Sequence, residues 1–289
     1  AWWNYLMQSD DLLRQKVALA LSEIVVISEV SGFGNRPYAM GKYYDILLDN
    51  AFGNYKDLLK QITLNPSMGV YLTYMNNDKT DIPNNKYPDE NYAREIMQLF
   101  SIGIYELNMD GSFKTDNNGD FIPTYDNTDI GEYAKIFTGF TWGDRTYFNK
   151  NSRHDTSYLV ELQMMNDHHE PGEKYLLNGV VIPDRNPVDG LADVNQAIDS
   201  LFMHPNVPPF ISKLLIQRLV TSNPSPEYIQ RVAEIFKNNG SGVRGDMQAV
   251  TKAILLDPEA NSCSSGDDPH FGKLREPMIR YFQIHKAFE

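Results

Sequence analysis

Residues 90–95, inside the stretch YPDENYAREIMQLFSIG, bring two carboxylates, an amide and a guanidinium into a very short space. On a helix turning about 100° per residue, Glu90, Asn91, Arg94, Glu95 and Gln98 share one sector of about 140°. Tyr92, Ile96, Leu99 and Phe100 are expected opposite, facing a core. Carboxylates beside a guanidinium can exchange protons with a substrate and hold its polar groups. The plainer account is a solvated face, with an (i, i+4) Glu90–Arg94 pair and Glu90 favoured by the helix dipole. Two features weigh against a plain surface: the stripe has no lysine, and Asn91 is a mediocre helix former.

A second group lies in NDHHEPGEKYLLNG, residues 166–179, where His168 and His169 adjoin Glu170 and are followed by Lys174. Imidazole is the side chain most readily moved into service near neutral pH. A surface loop carrying solvated histidines is the simple alternative. No metal spacing is present, since there is no His-Glu-x-x-His and adjacent histidines rarely ligate one ion. No metal or cofactor is therefore expected. Asp116, Asn118 and Asp120 alternate like the first ligands of a calcium loop, but Phe121 stands where that loop needs glycine and Asn127 where it needs glutamate. They read as hairpin turn residues. SGFGNRPYAMG lacks the preceding strand and the lysine of a phosphate loop, and His154-Asp155 reads as a turn.

The elements that must position these groups are mainly helical. Ser9 is the expected cap of a first helix whose apolar series runs from Leu12 through Val26. From Tyr44 to Ile62 apolar residues step by three or four in a single stripe, and Asn65-Pro66 starts a short helix. The run 76–86 reads as a loop. Asn118-Gly119 predicts a β-hairpin of type I′ over 108–125, the one small β insertion. Asp126 or Thr128 caps the next helix. Residues 144–187 show no sustained period and read as a long irregular excursion. Helices resume from Asp193, separated by Pro- and Gly-marked connections, so the expected fold is mainly all-α, an antiparallel multi-helix array in a single domain over 1–289.

With 289 residues and 42% hydrophobic content the chain can bury a substantial core. Its net charge of −12 argues against nucleic acid or anionic membranes as partners. No apolar run approaches the length of a membrane span. The single Cys263 excludes an internal disulfide. The chain starts Ala1-Trp2-Trp3 and closes within a helix-like segment, which reads as a fragment or mature form of a longer chain.

Taken together, LRQKVALALSEIVVIS, YYDILLDNAFGNYKDLL, NPSMGVYL, PDENYAREIMQLFSIGIYELNMDG, PTYDNTDIGEYAKIFTGFTW, HEPGEKYLLNG and HPNVPPFISKLLIQRLVTSNPSP resemble one bacterial family, the domain of unknown function 1800. The resemblance covers nearly the whole chain. It implies an exported, extracytoplasmic protein, encoded beside a sulfatase-like partner, with polysaccharide or cell-envelope material as the expected substrate class. The family's Asn-Glu-Asn-Tyr-Ala-Arg-Glu helix matches Glu90, Asn91, Tyr92, Ala93, Arg94 and Glu95, with Asp89 where many relatives have Asn. Its His-Asp-x-x-x-Lys loop matches His169, Glu170 and Lys174, with Glu170 in place of Asp. Ser22-Glu23 stand where other branches have a histidine-containing pattern.

Two functions fit these residues. In the first, an enzyme, Glu90 or Glu95 forms an acid–base pair with His169, while Asn91, Arg94, Glu170 and Lys174 bind an anionic or polyhydroxylated substrate for hydrolysis or elimination. In the second, a non-catalytic binding or structural module, Glu90–Arg94 and Glu95–Lys174 are buried ion pairs that tie helix to loop. A third reading puts a metal on Glu90, Glu95 and His169.

Overall fold

The apolar stripe from Tyr44 to Ile62 belongs to two helices, α2 (Pro37–Asp49) and α3 (Tyr55–Thr63), rather than one. Asn54 breaks it by adopting extended backbone and capping α3, its side chain accepting from the Lys56 N–H. The structure, a computed structural model, describes residues 10–28, 30, 35–148 and 155–288. Ser9 and His154, singled out in the sequence, lie outside them. The first described helix, α1, spans Leu12–Ser22 and ends before Val26. Asn65 caps α4 (Pro66–Tyr71) as its Asn-Pro start predicts. Next come α5 (Asn91–Gln98) and α6 (Asn127–Ile136), the latter opened by a capping box between Asp126 and Asp129.

The second half supplies α7 (Gly190–Met203), α8 (Val207–Leu219), α9 (Pro226–Lys237), α10 (Met247–Leu256), α11 (Pro258–Asn261) and α12 (Pro277–Phe288). The fold is mainly α, with a small β insertion. α8 packs on α9 and on α1, α9 on α10, and α3 on α7. α6 touches both α5 and α7 and so joins the opening helices to the later ones. No helix among the described residues is long and apolar enough to cross a membrane.

Short β pairs sit between α6 and α7. β1 (Phe140–Thr141) pairs antiparallel with β2 (Gln163–Met164), and β3 (Lys174–Tyr175) with β4 (Val181–Ile182). The described part of 144–187 otherwise holds only short 3-10 turns. The hairpin expected over 108–125 is two hairpins in tandem, bridged at Leu107–Phe113, Thr115–Phe121 and Tyr105–Pro123. Neither turn is type I′, because at Asn118-Gly119 only the glycine has positive φ. Gly111 and Gly119 each follow a three-residue turn, the N–H of Gly111 bonding Asn108 O and that of Gly119 bonding Asp116 O, the pattern of a type I turn with a glycine bulge. Asp116 Oδ1 accepts from the Asn118 and Asp120 N–H groups, which holds Asn118 out of the left-handed region.

α5 is held by aromatic packing. Tyr92 stacks on Tyr74 at 4.2 Å and meets the edge of Phe137 at 4.8 Å. Its hydroxyl lies 2.7 Å from Thr63 Oγ1, so the buried polar end is satisfied. Ala93, Ile96, Met97 and Phe100 complete the buried face, whereas Leu99, expected there, is exposed because the helix ends at Gln98.

Candidate functional site

His168 ends a short 3-10 turn and the backbone becomes extended at His169, so the two neighbouring side chains leave in different directions. His169 turns inward. Its Nδ1 donates to Thr138 O at 2.9 Å and its Nε2 faces Asp193 Oδ2 at 3.2 Å. Lys174 Nζ reaches the same Asp193 oxygen at 2.7 Å, and Arg185 Nε reaches the other at 2.6 Å. The His169, Lys174 and Asp193 side chains are at most 3% exposed. Burial by itself would raise the Asp193 carboxyl. The hydrogen bonds from His169, Lys174 and Arg185, with the Lys174 charge, outweigh it and bring the pKa down to about 2.

The surrounding backbone is shaped for this cluster. Asp193 lies in the first turn of α7, which begins at Gly190, and a Cβ on Gly190 would come within 2.9 Å of the His169 ring. Gly139 has φ +88° and brings its main chain against Met165 and His169. The cluster thus ties the 163–175 segment to the chain just after α6 and to α7. Nothing in the sequence marked Asp193, because its partners meet it only through folding.

His168 turns outward, into an open cleft of about 550 Å³ lined by residues 78–83, 167, 168 and 170. One wall is held by main-chain bonds from Lys79 N–H to His168 O and from Asn76 N–H to Phe140 O. His168 Nδ1 lies 2.9 Å from Asp78 Oδ1, and Lys86 holds the other oxygen of Asp78 at 2.7 Å. Those two partners lower the Asp78 carboxyl against the opposing effect of burial, the largest single influence on it. Because a carboxylate only accepts, Nδ1 is the donor in this pair, and Nε2 has no partner among the described residues. Phe148 lies flat on the imidazole at 3.9 Å and 5°. Glu170 is anchored by the Thr80 N–H at 2.6 Å.

The polar face of α5 lies elsewhere. Glu90 and Asn91 are exposed, and Arg94 Nη2 is 3.5 Å from Glu90, with both side chains more than 40% exposed. Asp89 performs the capping, accepting from the Asn91 N–H at 2.8 Å and from Thr73 Oγ1 at 2.9 Å. Thr73 is held at φ +62°, an uncommon conformation for a β-branched residue. Glu95 is half-buried, and burial raises its carboxyl against the opposing charge of Arg94. Neither Glu90 nor Glu95 lines the cleft or pairs with His169 or Lys174. The expected meeting of the α5 polar face with the His169–Lys174 loop is therefore not made; Asn77 instead links the chain before α5 to Gly139, its side chain accepting from the Asp89 N–H and its carbonyl from the Gly139 N–H. Of the residues singled out in the sequence, the structure brings His169 and Lys174 together on Asp193, and sets Glu170 beside His168 in the cleft. No group of three His, Cys, Asp or Glu side chains among the described residues is placed to share a metal ion.

Residues 1–288 match the family model described as "Protein of unknown function (DUF1800)". Neither a curated protein nor a solved structure matches the chain.

Proposed function

The chain belongs to the DUF1800 family, and from that premise we propose an acid–base hydrolase or lyase, acting in the cleft between 78–83 and 167–170 on polysaccharide-type or envelope substrates. The observation that supports it most strongly is the Asp78–His168 pair, 2.9 Å apart, at the wall of an open cleft. Asp78 fixes the imidazole tautomer and favours the imidazolium that forms when Nε2 takes a proton from a water or a substrate hydroxyl. Phe148 covers one ring face, leaving the edge bearing Nε2 to work. Glu170, held by Thr80, and Asp167 are the carboxylates that face a bound substrate from the same segment. The family resemblance supports a bacterial, extracytoplasmic setting and a neighbouring exported sulfatase-like protein as partner.

One observation favours a second function, a non-catalytic binding or structural module. His169 and Lys174 are sealed against Asp193, out of reach of any substrate. Screening polysaccharide and envelope substrates with wild type, His168→Gln, Asp78→Asn and Glu95→Gln separates the two. Catalysis in the cleft predicts a loss of about 10²- to 10⁴-fold in His168→Gln, a smaller loss in Asp78→Asn and wild-type turnover in Glu95→Gln. Equal turnover in all four proteins refutes it.

A further inference from the structure

The lining of the cleft carries more acid than base. Asp78 is already paired, with the Lys86 ammonium and with the His168 ring. That leaves Asp81, Asp167 and Glu170 against Lys79 alone among the other charged lining residues. Arg94 and Lys174, the cations expected from the sequence to hold an anionic substrate, are not there: Arg94 lies on the α5 surface and Lys174 is sealed on Asp193. The whole chain, at −12, adds to the same field. An anionic saccharide entering this cleft would meet like charge from Asp81, Asp167 and Glu170.

Resting on the acid–base reading of the same cleft, we propose that its substrate is a saccharide carrying free, protonated amines. The lining also includes Ile82 and Pro83, and Ile82 is 73% exposed. This apolar edge suits the C–H face of a sugar ring, while Asp167 and Glu170 accept hydrogen bonds from its ammonium and hydroxyl groups. Asp167 makes no side-chain hydrogen bond among the described residues and is exposed, so it is free to pair with an ammonium. A lysine side chain offers the same charge without the hydroxylated ring, and gains nothing from that edge.

The test is calorimetric binding to the full chain, using His168→Gln to prevent turnover, with four probes: fully deacetylated glucosamine oligomers, their N-acetylated counterparts, uronic acid oligomers and an oligolysine peptide. The glucosamine oligomer is expected to bind at least about tenfold more tightly than the other three, and to weaken with added salt. Asp167→Asn in the same background should weaken it about tenfold and leave the acetylated oligomer unchanged. Equal or tighter binding of the acetylated or uronic acid oligomers, or of oligolysine, overturns the proposal, as does glucosamine binding indifferent to Asp167. The two proposals fail separately. Cleavage of acetylated glycans at equal efficiency by wild type overturns the amine preference and leaves the acid–base site standing, whereas tight glucosamine binding with no glycan cleaved by wild type does the reverse.

Discussion

His168 and His169 are neighbours in the chain and opposites in the fold. His169 is closed off between Thr138 and Asp193, and its partners are the groups that hold three segments together. His168 keeps one nitrogen on Asp78 and the other toward an open cleft. The difference teaches that charged residues close in sequence divide their labour by side-chain direction. The buried cluster fixes the 166–170 backbone, and the cleft uses the side chains that backbone turns outward.

The largest effect should come from the cluster. Asp193→Ala leaves the Lys174 ammonium buried without its counter-charge and His169 without its Nε2 partner, and should cost about 3–5 kcal/mol in urea unfolding. A cost below about 1 kcal/mol would mean that the cluster is not the tie it looks like.

Acid provides a second handle. Asp193 lies at about 2 in the folded chain and near 4 when unfolded. The stability it contributes is complete above about pH 4 and is lost as pH falls through about 2. His204, pushed down to about 4 by burial, adds an earlier loss as pH falls from about 6.5 to 4, because the unfolded state takes up its proton first. Urea midpoints measured against pH should show both windows, and Asp193→Asn should shrink the lower one, to which Asp78 also contributes, while leaving the upper one in place.

The smallest effect belongs to the exposed face of α5. Arg94→Ala removes a 3.5 Å surface pair and should change stability by no more than about 0.5 kcal/mol, read in the same urea series. A cost approaching that of Asp193→Ala would erase the contrast between buried and exposed charge.

Much of this was legible in the sequence, and for stated reasons. The buried face of α5 and the caps at Asn65 and Asp126 are local, so spacing and residue type announce them. Asp193 stayed hidden because Lys174, Arg185 and His169 reach it from 19, 8 and 24 positions away, distances over which no period operates. The choice between His168 and His169 was equally silent. Only the neighbours across the fold, Thr138 for one ring and Asp78 for the other, decide which ring goes inward. The first hairpin, at Asp110-Gly111, was missed because its flanks show too little alternation to frame a turn.

The most direct test sets His168→Gln beside His169→Gln, each followed by thermal unfolding and by turnover on a substrate that wild type cleaves. A cleft that does the chemistry and a cluster that holds it predict that His168→Gln melts within about 1 °C of wild type and loses about 10²-fold or more in turnover. His169→Gln should melt several degrees lower, by about 2–4 °C for each kcal/mol lost, yet retain turnover within about tenfold below its melting point. Full turnover in His168→Gln, or a stable but inactive His169→Gln, would contradict this division.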